Sequence, residues 1–179
     1  MLGFRRIAIL SRTGRHRPTG SREAAVKHVV TTIDIDVPVD DVFAFMTDLD
    51  NAPLWSVGLV EVRHNGPLAE GATGTDVRVM GGKQVEMPWR ITSFDRPSVV
   101  ALAYEKPFPM TAEFTFEPTG AGTRMTCATT LRPTGAYRLL GPAIAREARK
   151  TDEEQFAKAK HLLESRYADR SDPRAESGR

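Results

Sequence analysis

The chain has 179 residues, of which 40% are hydrophobic and 27% are charged, a composition typical of one globular domain and not of a disordered chain. Its apolar runs are far shorter than the roughly 18 residues of a membrane span, so we expect no stable membrane insertion. The net charge of +2 combines +6 in residues 1–28 with −4 in residues 29–168, where 15 basic residues face 19 acidic ones. An acidic body argues against a nucleic-acid-binding domain.

The two ends of the chain differ in composition from its middle. Residues 1–27 are rich in arginine, serine and glycine, and their apolar stretch IAIL is too short for a secretory signal. We interpret them as a disordered basic leader or the product of a misassigned start codon, with a transit peptide as the alternative. Residues 168–179 are predicted to be a disordered tail, which leaves residues 28–167 as the folded domain.

The first predicted elements are a strand and a helix. Residues 29–37 alternate apolar and polar side chains, the pattern of a half-buried strand that Pro38 ends. Residues 39–51 then carry apolar side chains at helical spacing, with acidic residues in the first turn, where the helix dipole favours them. A short helical turn carrying Trp55 follows.

Residues 59–132 contain only strand and turn patterns. Six strand-like segments are separated by short turns, which predicts an antiparallel meander. Gly81 and Gly82 fit a tight hairpin turn because glycine tolerates positive φ, and Pro88 predicts a bulge or an unpaired edge position. In the strand before this turn, Thr75, Val77 and Val79 share one face.

A long helix over about residues 134–167 ends the domain. A seven-stranded antiparallel sheet needs a cover for its apolar face, and this helix is the one element large enough to provide it. We therefore predict an α+β fold in which the sheet wraps around the C-terminal helix, with two short helices after the first strand.

Five stretches carry a resemblance to a known family. They are residues 35–45 (IDVPVDDVFAF), 48–55 (DLDNAPLW), 67–71 (PLAEG), 89–96 (WRITSFDR) and 122–126 (GTRMT). Together the chain resembles the START-like, or SRPBCC, superfamily with its helix-grip fold, and within it the polyketide cyclase/dehydrase-like branch. The resemblance implies a deep cavity between sheet and helix that holds lipids, polyketides or other apolar molecules. It also implies that a few relatives are cyclases or dehydratases.

The sequence shows no catalytic motif. It lacks a nucleophile elbow, a P-loop and a dinucleotide-binding glycine pattern after a strand. The four histidines lack metal-ligand spacing, and Cys127 as the one cysteine excludes an intramolecular disulfide and a cysteine-rich zinc site. We expect no cofactor and no metal, a buried structural Cys127 and a cytoplasmic protein, and we assign no catalytic residues.

The candidate ligand-binding residues lie on the predicted apolar faces. Trp55, Trp89, Tyr104 and Phe114 can line a cavity or simply pack in the core, since tryptophan and tyrosine combine an apolar body with a polar group. Ile91, Met125 and Phe156 complete the apolar set.

The long helix adds two polar candidates. Its middle, residues 146–155 (REARKTDEEQ), has no apolar side chain larger than alanine. On the face centred on Phe156, Arg149 and Asp152 replace the apolar residues. We expect this pair either to orient the polar end of a ligand or to form an ordinary ion pair on the helix surface.

Three functions therefore remain open. The favoured one is the binding of an apolar small molecule in a cavity between sheet and helix, without nucleic-acid contact and as a monomer or homodimer. The second is an enzyme of the polyketide cyclase or dehydratase type, and the third is a protein-interaction module without a ligand.

Overall fold

The computed structural model describes residues 26–171, which form one antiparallel sheet and four helical segments. The strands are β1 (Lys27–Ile35), β2 (Leu59–His64), β3 (Thr73–Met80), β4 (Lys83–Asp95), β5 (Val99–Tyr104), β6 (Met110–Thr119) and β7 (Gly122–Leu131). The α-helices are α1 (Val39–Thr47), α2 (Ala52–Trp55) and α3 (Gly141–Ser171), and a 3₁₀ helix spans Gly135–Leu140. The predicted order of elements is confirmed.

The seven strands lie in the order β1-β7-β6-β5-β4-β3-β2, and all neighbours are antiparallel. Strands β2 to β7 therefore form a meander, while β1 pairs with the last strand, from Lys27 opposite Leu131 to Ile35 opposite Thr123. Helix α3 lies across one side of this sheet, which we call the inner face. The fold is the predicted α+β helix-grip arrangement.

The hairpin between β3 and β4 sets the register of the strands that carry the candidate site. Gly81 and Gly82 have φ angles of 57° and 76°, as a two-residue turn with positive φ at both positions requires. Counting back from this turn, Asp76 lies opposite Met87 and Gly74 lies opposite Trp89. Asp76 therefore shares the inner face with Trp89, while Thr75, Val77 and Val79 point to the other side.

Pro88 does not lie at a bulge of the β3–β4 pairing but at a position of β4 that is unpaired on its β5 side, the second of the two predicted alternatives. Strand β4 is central in the sheet, and Pro88 pairs with Thr75 on β3. The pairing of β4 with β5 starts only at Trp89, opposite Tyr104, so β4 has no β5 neighbour at the proline. The missing N–H is tolerated because this part of a central strand has an open side.

The C-terminal α-helix begins later and ends later than predicted. Residues 135–140 form the 3₁₀ helix, and the α-helix runs from Gly141 to Ser171. Pro142 fits this start because a proline near the first helical position removes an N–H that would lack a partner in any case.

The apolar interior is divided into two clusters along α3. The first contains Phe43, Trp89, Met125, Phe156 and Leu163, among others, and receives the C-terminal half of the helix. The second is smaller and is formed by Val29, Phe108 and Leu131, against which Ile144, Ala145 and Ala148 pack. Asp152 and Gln155 are the buried polar residues of α3, and they lie between its contacts with the two clusters.

Candidate functional site

The inner face is incompletely covered where β5 and β6 cross it. Leu102 pairs with Ala112 and Val100 with Phe114, so these side chains share the face on which the Phe114 ring meets Phe156 of α3, 6.0 Å away. Although β5 and β6 are central strands, Leu102, Ala112 and Phe114 are only half-buried. The helix therefore leaves part of the apolar face open near its polar middle segment.

A buried carboxylate anchors the polar side of this region. Asp76 is 5% exposed and accepts hydrogen bonds from the indole Nε1 of Trp89 at 2.9 Å and from the hydroxyl of Tyr104 at 3.2 Å. Arg78 donates to the same carboxylate through Nε at 3.2 Å and through a terminal nitrogen at 3.1 Å. Asp76 therefore fixes an indole, a phenol and a guanidinium on one face.

Arg78 connects this group to the helices. Its guanidinium also donates to the hydroxyl of Ser56, at 3.1 Å, and to the carbonyl oxygen of Val57, at 3.3 Å. The Ser56 hydroxyl donates to Gln155 Oε1 at 3.4 Å, and Gln155 Nε2 donates to Asp152 Oδ1 at 3.0 Å.

A chain of hydrogen bonds thus runs from the sheet to the middle of α3. We call its members the polar cluster: Ser56, Asp76, Arg78, Trp89, Tyr104, Asp152 and Gln155.

The pKa values in and beside the polar cluster are shifted mainly by burial. Desolvation raises the pKa of Asp152 to about 6, against the opposing effects of Arg78, Gln155 and Arg149. Burial, assisted by the charge of Asp76, raises the pKa of Tyr104 above its usual range. The thiol of Cys127 has its pKa raised to about 12, also by burial, so it is neutral at physiological pH. Cys127 is buried, as predicted.

The structure brings most of the proposed ligand-binding residues to the inner face. Trp89 and Tyr104 meet at Asp76, and Phe114 contacts Phe156. Ile91, Met125 and Phe156 are almost fully buried in the first cluster, as is Trp55, whose Nε1 has no partner among the described residues.

Arg149 and Asp152 are separated, although they are three residues apart on the helix. Asp152 is 9% exposed and belongs to the polar cluster. Arg149 is exposed, and its guanidinium donates to the carbonyl oxygen of Val30 on β1 at 3.3 Å. The alternative of an ion pair on the helix surface is therefore wrong, because Asp152 is buried and Arg149 turns towards the edge strand.

Sequence reasoning missed Asp76, Arg78, Ser56 and Gln155. The alternation in β3 indicated an apolar face with Val77 and Val79, and a charge such as Asp76 on the other face of a strand ordinarily points to water. A usable signal was present in the predicted Gly81–Gly82 hairpin, because its register puts Asp76 opposite Met87, on the predicted Trp89 face. No local pattern marks Ser56 or Gln155, whose contact spans 99 residues of sequence.

Two surface clefts lie on the described part of the molecule. The larger, about 680 Å³, is lined mainly by outer-face residues that include Thr75, Pro88, Arg90 and Ala103, and it reaches Trp89 of the polar cluster. The smaller, about 250 Å³, lies between the end of α1 and the loop at Pro67. Neither contains Asp76, Tyr104 or Asp152, so the chemistry of the buried groups, and not cleft volume, identifies the candidate site.

Comparison with protein families decides the relationship of the chain. Residues 27–164 match the family model described as "Polyketide cyclase / dehydrase and lipid transport". The protein belongs to this polyketide cyclase family. A search of the curated proteins finds no match.

Solved structures similar to this polyketide cyclase family member share its fold at low sequence identity. NE0264 from Nitrosomonas europaea has a TM-score of 0.62 at 18% identity, covering 78% of this chain and 95% of its own. Ara h 8.0201 has a TM-score of 0.66 at 13% identity, with 78% and 99% covered. TTHA0849 from Thermus thermophilus has a TM-score of 0.65 at 15% identity, with 76% and 97% covered.

The described part of the chain holds neither a metal-binding cluster nor a membrane-spanning helix. Within residues 26–171, no group of three or more histidine, cysteine, aspartate or glutamate side chains is placed to hold a metal ion. In the same part of the chain, no helix is long and apolar enough to cross a membrane.

Proposed function

We propose that the protein binds an apolar small molecule between the inner face and α3, with a polar end of the ligand at the polar cluster. The observation that carries this proposal is the position of the polar cluster, between two apolar clusters and beside a half-open apolar face. Small-molecule sites in proteins are mostly apolar with a few converging polar groups, which is the composition found here.

The polar cluster is a costly feature for a helix that only covers a sheet. Burying a polar group without a partner costs roughly 1–3 kcal/mol, and an apolar side chain at position 152 would close the interior without that penalty. Alanines at 145 and 148 keep the same side of α3 small. These features support a helix that leaves room for a guest and offers it a polar contact.

The family supports the same class of function. Its description names lipid transport beside cyclase and dehydrase activity, and members of the SRPBCC type that the chain resembles hold apolar ligands. Cys127 is free, which fits the cytoplasm as the place of action.

A cyclase or dehydratase activity is the second candidate, and one observation favours it. A buried carboxyl with a pKa of about 6 can both release and accept a proton near neutral pH, as acid–base catalysis requires. Asp152 would be that group, and the hydroxyl of Tyr104 stays protonated as a hydrogen-bond donor. Turnover of a copurified ligand, lost in Asp152→Ala, would decide for the enzyme.

Native mass spectrometry of the freshly purified protein tests the binding function. We expect a noncovalent adduct of small-molecule mass that disappears after denaturation. Ala112→Trp should abolish the adduct, because this half-buried alanine lies on the open part of the inner face, where an indole would occupy the ligand's place.

Ala128→Trp is the matched control, since Ala128 is exposed on the opposite face of β7. It should keep the adduct. An adduct that survives in folded Ala112→Trp would show that the ligand does not lie on this part of the inner face. A protein that never carries an adduct and binds no apolar probe would favour the interaction-module alternative.

A further inference from the structure

One oxygen of the polar cluster has no partner. Gln155 occupies Asp152 Oδ1, whereas Asp152 Oδ2 is buried and accepts no hydrogen bond from any residue between 26 and 171. Asp152 is 9% exposed, and a carboxylate oxygen left unsatisfied at that depth is unfavourable. The free energy is recovered when a donor reaches Oδ2.

A second unpaired polar atom lies on the same face. The hydroxyl of Thr31 is buried without a partner among the described residues, and Thr31 is paired with Cys127 in the β1–β7 register. Cys127 in turn lies opposite Phe114 on β6. The inner face therefore carries unused hydrogen-bonding capacity on β1 as well as on α3.

The charges around Asp152 restrict what the donor can be. The polar cluster contains two carboxylates, Asp76 and Asp152, and one cation, Arg78. Four of the five guanidinium N–H groups of Arg78 already donate to Asp76, Ser56 and Val57, so Arg78 lacks the pair of free donors that a two-point contact with a ligand carboxylate needs. A buried anion would add a second uncompensated negative charge, which is strongly unfavourable at low dielectric.

The neighbours of Asp152 on other elements do not change this balance. The Cys127 thiol on β7 is neutral because burial raises its pKa to about 12. On α3 itself, Arg149 lowers and Glu153 raises the pKa of Asp152 as weaker influences, and both side chains are exposed. The pKa of about 6 leaves Asp152 mostly ionised at pH 7.5 and ready to accept.

We propose that Asp152 Oδ2 anchors a hydrogen-bond donor, a hydroxyl or an amine, at the polar end of an otherwise apolar ligand, and that the site rejects carboxylates. This rests on the proposed binding function and names its ligand class: apolar alcohols, phenols and amines, and not fatty acids or other apolar anions. Hydrogen bonds to an ionised acceptor are about twice as strong as neutral ones, so the donor provides selectivity as well as affinity.

Three probes of one ring system test the proposal on the full chain at pH 7.5. The probes are naphthalene, 1-naphthol and 1-naphthoate, with affinities measured by isothermal titration calorimetry or by displacement of a fluorescent apolar dye. We expect 1-naphthol to bind at least about tenfold more tightly than naphthalene, and 1-naphthoate to bind more weakly than both.

Asp152→Asn should reverse the order of the two polar probes. The neutral amide should weaken 1-naphthol by about tenfold and strengthen 1-naphthoate, because one negative charge leaves the site. Glu153→Gln is the matched control: it removes the same charge from the exposed neighbour and should leave both affinities within about twofold. Thermal unfolding establishes that each variant is folded.

The outcomes separate the two proposals. If naphthalene and 1-naphthoate bind as tightly as 1-naphthol, or if Asp152→Asn leaves the order unchanged in a folded protein, the donor proposal is wrong while the binding function stands. If none of the three probes binds the wild-type chain and no ligand copurifies, the binding function fails and the donor proposal fails with it.

Discussion

Three side chains of the described part of the protein converge on the carboxylate of Asp76. It compensates the charge of Arg78 and satisfies the polar atoms of Trp89 and Tyr104 at once. Arg78 is partly accessible, with 23% of its side chain exposed, so water compensates it in part. The indole of Trp89 is buried and has no such alternative, which makes Asp76 the residue on which the polar cluster depends.

Asp76→Ala should therefore destabilise the fold by about 3–5 kcal/mol, since removing one partner leaves a buried charge and two donors unsatisfied. Urea denaturation measures this loss. Glu86→Ala is the control: its carboxylate is 62% exposed and paired with Arg63 at 2.8 Å, and exposed pairs contribute at most about 1 kcal/mol. Equal effects of the two substitutions would contradict the structural role of Asp76.

Asp152 should make stability fall as pH rises. Its folded-state pKa of about 6 lies above the ordinary 3.8, so the folded protein holds this proton more tightly than the unfolded chain. This contribution to the free energy of unfolding is roughly 3 kcal/mol, at 1.4 kcal/mol per pKa unit. It is fully present below about pH 4 and is lost as the pH rises through about 6. The free energy of unfolding of Asp152→Asn, relative to that of the wild type, should therefore increase by about that amount between pH 4 and pH 7.5. Urea titrations at several pH values check it, and a constant difference would show that Asp152 titrates normally.

At the scale of elements, close packing of β3 against β4 holds the tryptophan of the site. Gly74 lies opposite Trp89, and a Cβ at position 74 would be 2.2 Å from the indole atom Cζ2 and 2.6 Å from the carbonyl oxygen of Arg63. The absent side chain thus permits the indole to cross β3 and reach Asp76. Glycine is needed here for space and not for a positive φ.

Gly74→Ala should destabilise the protein by about 1–3 kcal/mol, as overpacking of a core does, and should displace the Trp89 indole from Asp76. Thermal unfolding and tryptophan emission measure the two effects. Gly141→Ala is the control, because the added Cβ lies an ordinary 3.5 Å from Lys27 in a helical conformation. It should change stability by less than about 1 kcal/mol, in the stabilising direction. A harmless Gly74→Ala would mean that the indole does not lie over position 74.

The elements were predictable from sequence because their causes are local. Alternation indicated most of the strands, and Gly81 with Gly82 indicated the hairpin. The polar cluster was less accessible, since Ser56 and Gln155 meet only after the whole sheet has formed. Asp152 was found because it interrupts an apolar stripe, whereas Asp76 was missed because a charge within a strand ordinarily faces water.

At the scale of the whole molecule, α3 unites the two apolar clusters. Its first turns pack on the cluster of Val29, Phe108 and Leu131, and its second half enters the larger cluster through Phe156, Ala159 and Leu163. The polar cluster lies between these contacts. The helix therefore packs against the sheet on both sides of the candidate site. Because these contacts hold α3 in place, the site between them can stay open while the fold remains intact.

Shortening the chain to residues 26–171 should have little effect on stability, whereas removing the second half of α3 as well should abolish cooperative unfolding. A chain of residues 26–171 should unfold within about 2 °C of the full chain, because the described residues themselves form both apolar clusters. A chain of residues 26–155 should show no cooperative transition. It loses Phe156 and Leu163, each contributing about 2–5 kcal/mol, against a total stability of about 5–15 kcal/mol typical of a domain. Circular dichroism during heating measures both, and cooperative unfolding of the shorter chain would show that the sheet does not depend on the second half of α3.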